Sequence, residues 1–314
     1  MAVQSMACVV SVNISKEKGV CKQPVSTIEL GDHGIVGDAH AGHWHRQVSL
    51  LSQESIAAFS GKSSRAYRPG EFAENITTAG INLAQLRILD KLFIGDVVLE
   101  ISQIGKQCHG GGCAIFREVG KCVMPKEGLF ARVVRGGRIE VGCEIRHEAR
   151  PIRVGVVVLS DRASAGVYSD RSGPVVEQRM RDHFEGGLLW GFESEYVLIP
   201  DDAARLGSVL SEMRARGVDI VLTCGGTGIG PRDITPDVVQ PLLTKALPGI
   251  MESIRVKYGA TIPSAVLSRS VAGLMGSTLV YTLPGSVKAV HEYLDEILRS
   301  LNHALCMLHG FDTH

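Results

Sequence analysis

The chain has 314 residues, more than one ordinary hydrophobic core accommodates, and this length predicts two domains. Lys plus Arg equals Asp plus Glu at 33 each, so no overall field recruits nucleic acid or an anionic membrane. A secretory leader pattern and an apolar run of about 18 residues are both missing, which predicts a cytoplasmic protein without a membrane span, and the eight scattered cysteines read as reduced thiols.

From Ala7 to about Ile145 short β-type runs are punctuated by glycine: Ala7–Ile14, Gly34–Gly37, Val48–Leu51, Arg87–Phe93, Val97–Ile101, Ala131–Val134 and Arg138–Val141. Short strands at close spacing with few helical stretches predict a mainly-β barrel or closed sandwich. One helix stands out, Ser52–Ser60, with Ser52 as its cap. Gly61-Lys62-Ser63 is not a phosphate loop, because Ile56 holds the position of the first glycine. No pair of Cys-x-x-Cys segments offers a zinc ribbon.

Two clusters in this half bear on chemistry. Asp38, His40, His43 and His45 fall within eight residues. Imidazoles at that density suit a metal site, and equally a hydrogen-bonded surface, since His40 and His43 do not form a helical i, i+4 pair. The second cluster is Lys106-Gln107-Cys108-His109, followed by three glycines and Cys113. A thiol beside His and Lys on a glycine-flanked loop has what lowers a cysteine pKa and makes it a nucleophile or a sulfur carrier. Cys113 and Cys122 read instead as small buried hydrophobes.

The segments GIVGDAHAGHWHRQVSLLSQESI, PGEFAENITTAGINLAQL, IGDVVLEISQIGKQCH and CVMPKEGLFARVVRGG together resemble the MOSC domain family over roughly residues 5–147. That resemblance implies a β-rich module associated with molybdenum-cofactor sulfuration and reduction chemistry. It places Cys108 on the motif of the family's proposed sulfur or metal ligand.

The charged stretch from Arg146 to Pro151 closes this pattern, and the predicted domains are 1–149 and 150–314. Ile152–Ser160 is a nearly unbroken apolar run, as in a strand covered on both faces. After it come a helix from about Pro174 to His183, a strand at Tyr196–Ile199, a helix at Ala203–Ala215 and a strand at Ile220–Thr223. A further strand, Thr278–Leu283, precedes a helix from about Ser286 to Leu308 with Val287, Val290, Leu294, Leu298, Leu301 and Leu305 at helical spacing. The alternation predicts a three-layer, doubly wound α/β domain with a mainly parallel sheet.

Val221 to Asp237 reads VLTCGGTGIGPRDITPD: a strand end, a glycine loop and a helix start. Gly225, Gly226, Thr227 and Gly228 suit a phosphate cradle. Carboxylates repel phosphate, so Asp233 and Asp237 beside that loop point to a divalent cation between them and the ligand. Ligands of open α/β sheets bind beyond the strands' carboxyl ends, where Ser160-Asp161-Arg162 and Asp201-Asp202 also fall. Asp202 reads equally as a helix cap.

The segments VVVLSDRASAGVYSDRSGP, LIPDD, LTCGGTGIGPRDITPD, ALPGIMESIR, AVLSRSVAG and YTLPGS are similar to the molybdopterin adenylyltransferase family in order and spacing over nearly all of residues 152–310. The resemblance implies transfer of AMP from ATP to the terminal phosphate of molybdopterin, with release of pyrophosphate, by a Mg²⁺-dependent homotrimer. Its two functionally important aspartates carry over onto Asp201 and Asp233. Ser160, Asp161, Ser268 and Arg269 become pterin or phosphate contacts, Asp237 a neighbour of the phosphate, and Pro284-Gly285-Ser286 the rim. Pro284-Gly285 reads also as a plain turn, and Arg269 as a surface ion pair. A related branch with the same loop is assigned pterin binding alone.

The chain thus has two other readings: a carrier of molybdopterin or of the molybdenum or tungsten cofactor that works beside other cofactor-biosynthesis proteins, or a sulfurtransferase acting through Cys108.

Overall fold

A computed structural model describes residues 6–63, 65–106, 122–187 and 189–311. The chain divides into two compact units, Met1–Pro151 with Gly310–His314, and Ile152–His309.

The first unit is built from β1 (Cys8–Ile14), β2 (Gln23–Val25), β3 (Thr27–Gly31), β4 (Gly34–Ile35), β5 (Val48–Ser52), α1 (Gln53–Ser60), β6 (Ile76–Ala79), β7 (Lys91–Ile94) and β8 (Val97–Ile104). After these come α2 (Met124–Glu127), β9 (Leu129–Arg135), β10 (Gly137–Glu140) and β11 (Ile145–Glu148). Eight strands form one sheet in the order β11-β7-β8-β9-β5-β6-β1-β2, and β10-β3-β4 form a second. Alternate residues of these strands, among them Val12, Val48, Leu50, Leu92 and Leu99, share one buried apolar cluster, as period-two patterning requires.

The unit is mainly β, as expected, but neither sheet is a closed ladder. Glu144, just before the end strand β11, forms an isolated bridge with Cys8 of β1, the strand next to the other end, and Ile145 N donates to Ala7 O at 2.8 Å and Val9 N to Cys143 O at 2.9 Å. Ser52 caps α1 as predicted, accepting from Ser55 N at 3.0 Å. The expected strand Arg87–Phe93 begins only at Lys91. Leu89 has φ +78°, and the Asp90 carboxylate accepts from Arg87 N, so the preceding residues turn instead of extending. Strands β2, β3, β6 and β11 gave no signal: β2 carries a proline, β6 is half threonine, and β11 exposes Arg146, His147 and Glu148.

The second unit contains β12 (Ile152–Leu159), α3 (Asp161–Ser164), α4 (Ser172–Gly187), β13 (Phe192–Ile199), α5 (Ala203–Ala215) and β14 (Ile220–Cys224). It continues with α6 (Thr235–Val239), β15 (Lys245–Ala246), α7 (Pro248–Gly259), β16 (Ala272–Met275), β17 (Thr278–Leu283) and α8 (Val287–Leu308). The sheet order is β13-β12-β14-β17-β16-β15. The first four strands are parallel and the last two antiparallel. On one face Leu206, Leu210 and Met213 of α5 pack on Val157, Val221 and Val280. Gly155 admits that close approach, because a Cβ there would lie 2.6 Å from Met213 Sδ.

Helix α4 packs on β12 and β13 and against α8. The buried stripe of α8 runs through Val290, Leu294, Ile297, Leu301 and Leu305, so Ile297 takes the place expected of Leu298. Strand β13 starts four residues before the expected Tyr196, because its charged, half-exposed first half hides an edge strand. Since β12, β13, β14 and β17 are parallel, the turns after all four open on one edge of the sheet.

Candidate active site

The glycine loop follows β14. Gly225 and Gly226 have φ +107° and +63°, and a Cβ on Gly225 would sit 2.5 Å from Leu159 O. Thr235 Oγ1 at the start of α6 donates to Gly225 O at 2.8 Å, and Thr235 N donates to Gly226 O at 3.0 Å. Gly285, in the turn after β17, lies against the same loop, since its Cβ would come 3.4 Å from Gly225 Cα. Gly225→Ala is therefore expected to destabilise the second unit by about 1–3 kcal/mol, read as a lower midpoint in its denaturant transition.

Asp233 shapes the loop that it adjoins. Its Oδ2 accepts from Gly230 N at 2.8 Å, and a Cβ on Gly228 would lie 2.7 Å from the same oxygen. Arg269 ties the far side: Nε donates to Gly228 O at 2.7 Å, Nη2 to Asp233 O at 2.5 Å, and both Nη atoms to the Asp237 carboxylate at 2.7 and 2.9 Å. That bidentate bond to Arg269 holds the Asp237 carboxyl below its ordinary pKa. Arg269 and Asp237 thus form a clasp around the loop.

The other acids meet across two strand ends. Asp201 Oδ2 accepts from Asp161 N at 3.1 Å, and Asp161 Oδ1 accepts from Asp201 N at 3.0 Å. Asp161 Oδ2 also pairs with Arg232, the neighbour of Asp233. The Asp201 backbone N–H, then Arg232, lower the Asp161 pKa. Ser160 caps α3, accepting from Ala163 N at 3.2 Å, and its hydroxyl lies 2.9 Å from Tyr168 Oη. Asp202 caps α5 through Arg205 N at 2.7 Å.

Two cavities flank the loop. One of about 620 Å³ is lined by Gly226, Thr227, Gly228, Asp233, Ser268 and Pro284, with Arg255 and Tyr258 from α7 and Tyr293 from α8. A second of about 1030 Å³ is lined by Ser160, Arg162, Tyr168, Asp170 and Arg171. Gly285 and Ser286 border both, so the two adjoin at that turn. Tyr168, Arg171, Arg255 and Tyr293 were not singled out from sequence. Tyr293 sits one residue from a core position of α8, and the others occupy loops or helix faces where a polar residue is unremarkable.

Asp201 and Asp233 are the candidate holders of a divalent cation at this edge, and among the described residues no hydrogen bond joins the two. Asp201 and Asp233 each use Oδ2 in a loop hydrogen bond, while Oδ1 has no hydrogen-bond partner among the described residues. Two single carboxylate oxygens suit Mg²⁺, which keeps several waters and takes its remaining ligands from phosphate. No group of three or more His, Cys, Asp or Glu positioned for a metal occurs among the described residues.

In the first unit the histidines diverge. Asp38 is fully buried and pairs with Lys22 Nζ at 2.5 Å while accepting from Ser15 N, His40 N and Asn75 Nδ2. The His43 ring lies tilted against that of His33, with centroids 3.8 Å apart, and His45 is buried with its carbonyl accepting from Ser102 Oγ. The described contacts of the cluster are hydrogen bonds and ring contacts, with His40 Nδ1 3.3 Å from Lys22 Nζ. Lys22 gave no signal, being flanked by Cys21 and Gln23. Cys108 lies outside the described residues.

A mainly parallel sheet whose carboxyl edge carries a glycine loop, paired acids and two adjoining cavities has the form of an α/β ligand-binding module. Residues 155–303 match the family described as probable molybdopterin binding domain, and residues 37–146 match the MOSC domain. The molybdopterin adenylyltransferase of Helicobacter pylori (strain J99) is 34% identical over 160 residues, covering 51% of this chain and 89% of that protein. The Escherichia coli K12 molybdopterin adenylyltransferase is 37% identical over 147 residues, 46% of this chain and 73% of that protein. Gephyrin of Dictyostelium discoideum is 35% identical over 162 residues, 50% of this chain, and the match spans only 22% of gephyrin's length. The chain belongs, through its second unit, to the probable molybdopterin-binding domain family, preceded by a MOSC domain.

Proposed function

We propose that the second unit transfers AMP from ATP to molybdopterin, with release of pyrophosphate, as a step of molybdenum-cofactor biosynthesis. The observation that carries this reading is the pair of cavities meeting at Gly285 and Ser286 beside the glycine loop. Two ring systems joined through phosphates need two pockets and a shared anion cradle between them. The relatives named molybdopterin adenylyltransferase support it.

In this reading Gly225 to Gly228 receive phosphate oxygens, Asp201 and Asp233 hold Mg²⁺, and Mg²⁺ supplies neutralisation of charge on the reacting phosphates. Asp161 positions Asp201, the Arg269–Asp237 clasp keeps the cradle in shape, and Ser160, Ser268 and the Pro284-Gly285 turn line the substrate pockets. Domain limits of 1–149 and 150–314, a homotrimer and a cytoplasmic setting complete the proposal. Among the described residues no helix is long and apolar enough to cross a membrane. The first unit acts as an accessory module that handles the molybdenum or tungsten cofactor or its sulfur through Cys108. The Cys8–Glu144 bridge supports a barrel-like form for it.

Incubating the protein with molybdopterin, ATP and Mg²⁺ should yield adenylated pterin and pyrophosphate in equal amounts. Folded protein that binds both substrates and releases neither product would refute the reading and favour a carrier.

A further inference from the structure

We infer that Tyr293 is a positioning residue that fixes Ser268 as a hydrogen-bond donor to a ligand phosphate oxygen in the cavity beside the glycine loop. The proposal rests on the nucleotidyl-transfer reading for the identity of the ligand.

A serine hydroxyl has one proton and two lone pairs. Tyr293 Oη donates to Ser268 Oγ at 2.9 Å, and Ser270 Oγ lies 2.9 Å from the same oxygen. Ser270 Oγ has no other hydrogen-bond partner among the described residues, so its proton goes to Ser268 Oγ and both lone pairs are occupied. Ser270 N, at 3.4 Å, is too far to hold one of them. Tyr293 and Ser270 are 5% and 2% exposed, so water does not compete for this array. Arg255 Nη1 fixes the backbone beneath it, donating to the carbonyls of Ser268 and Ser270 at 3.3 and 3.1 Å.

Ser268 lines the same cavity as Gly226, Thr227 and Gly228. With both lone pairs filled from Tyr293 and Ser270, the Ser268 proton is left for an acceptor in that cavity, and no lone pair is left for a donor. The site thereby selects ligands that present an acceptor, and a phosphate oxygen beside the glycine cradle meets that demand. Without the Tyr293 hydroxyl, one lone pair opens and the preference weakens.

The test is equilibrium binding of molybdopterin, and separately of ATP with Mg²⁺, to the full chain and to Tyr293→Phe, Ser268→Ala, the double variant and Ser270→Ala. Tyr293→Phe and Ser268→Ala should each weaken one and the same ligand about 5- to 10-fold, and that ligand identifies whose phosphate Ser268 meets. The double variant should bind within about 2-fold of Ser268→Ala alone, because Tyr293 acts through Ser268. Ser270→Ala removes the second donor to Ser268 Oγ and should weaken that same ligand about 2- to 5-fold while leaving the other unchanged, a selectivity that general loss of structure does not produce. Unchanged binding in Tyr293→Phe, losses that multiply in the double variant, or equal weakening of both ligands in Ser270→Ala would each overturn the proposal. If the unaltered chain binds neither ligand, the nucleotidyl-transfer reading falls first and this inference with it.

Discussion

Asp233→Asn is expected to lower AMP transfer about 100-fold or more while leaving molybdopterin affinity nearly unchanged. The amide keeps an oxygen that can accept from Gly230 N, so the loop retains its shape. What disappears is the negative charge on the oxygen that faces away from that bond, which in the proposed function holds Mg²⁺. Asp233→Ala removes both functions, and it should lose stability as well as turnover. Steady-state rates combined with pterin binding separate the two effects, and equal turnover in Asp233→Asn and the parent would exclude a metal-holding role.

The largest effect on stability is expected in the first unit, at Lys22→Met. Lys22 and Asp38 have side chains 1% and 0% exposed and form a 2.5 Å ion pair. Removing the cation leaves Asp38 buried with only neutral donors, from Ser15, His40 and Asn75. Breaking a buried pair from one side costs about 3–5 kcal/mol, whereas replacing both partners by apolar residues of similar volume is often neutral. Lys22→Met should thus lower the denaturant midpoint of the first unit sharply, and Lys22→Met with Asp38→Asn, which removes the orphaned charge yet keeps an acceptor for the Ser15, His40 and Asn75 donors, should recover part of the loss. A single variant within about 0.5 kcal/mol of the parent would show that the pair adds little.

The same region predicts a pH dependence. Glu74 is fully buried, and desolvation raises its carboxyl above the ordinary value despite bonds from Gly70 N and Thr77 Oγ1. Its Oε2 has no hydrogen-bond partner among the described residues. A carboxyl with a raised folded pKa binds its proton more tightly in the native state. The contribution is therefore complete below the unfolded value of about 4.3 and is lost as pH rises through the folded one. Glu74→Gln should abolish that loss, so that the stability of parent and variant diverges as pH rises above the ordinary carboxylate range.

Much of the second unit was legible because its signals are local. The apolar run of β12, the alternation through β14 and the amphipathic stripe of α8 follow from burial of whole faces, and the glycine loop from backbone angles that other residues resist. The antiparallel edge of β15 and β16 and the extended β13 were not, since short or half-exposed strands mix polar and apolar residues without a clear period. The acids were visible one by one, but the mutual bonds of Asp161 and Asp201, 40 positions apart, are set by parallel strand register and by no local pattern. Lys22 shows the limit most plainly: a lysine on a short turn reads as solvated until tertiary packing encloses it with Asp38.

The most direct test of the account is a crystal structure of the protein with a non-hydrolysable ATP analogue, Mg²⁺ and molybdopterin. The account predicts one ring system in each of the two adjoining cavities, phosphates against Gly225 to Gly228, and a metal ion held by Asp201 and Asp233. A nucleotide bound away from the glycine loop, or a metal that touches neither aspartate, would contradict it.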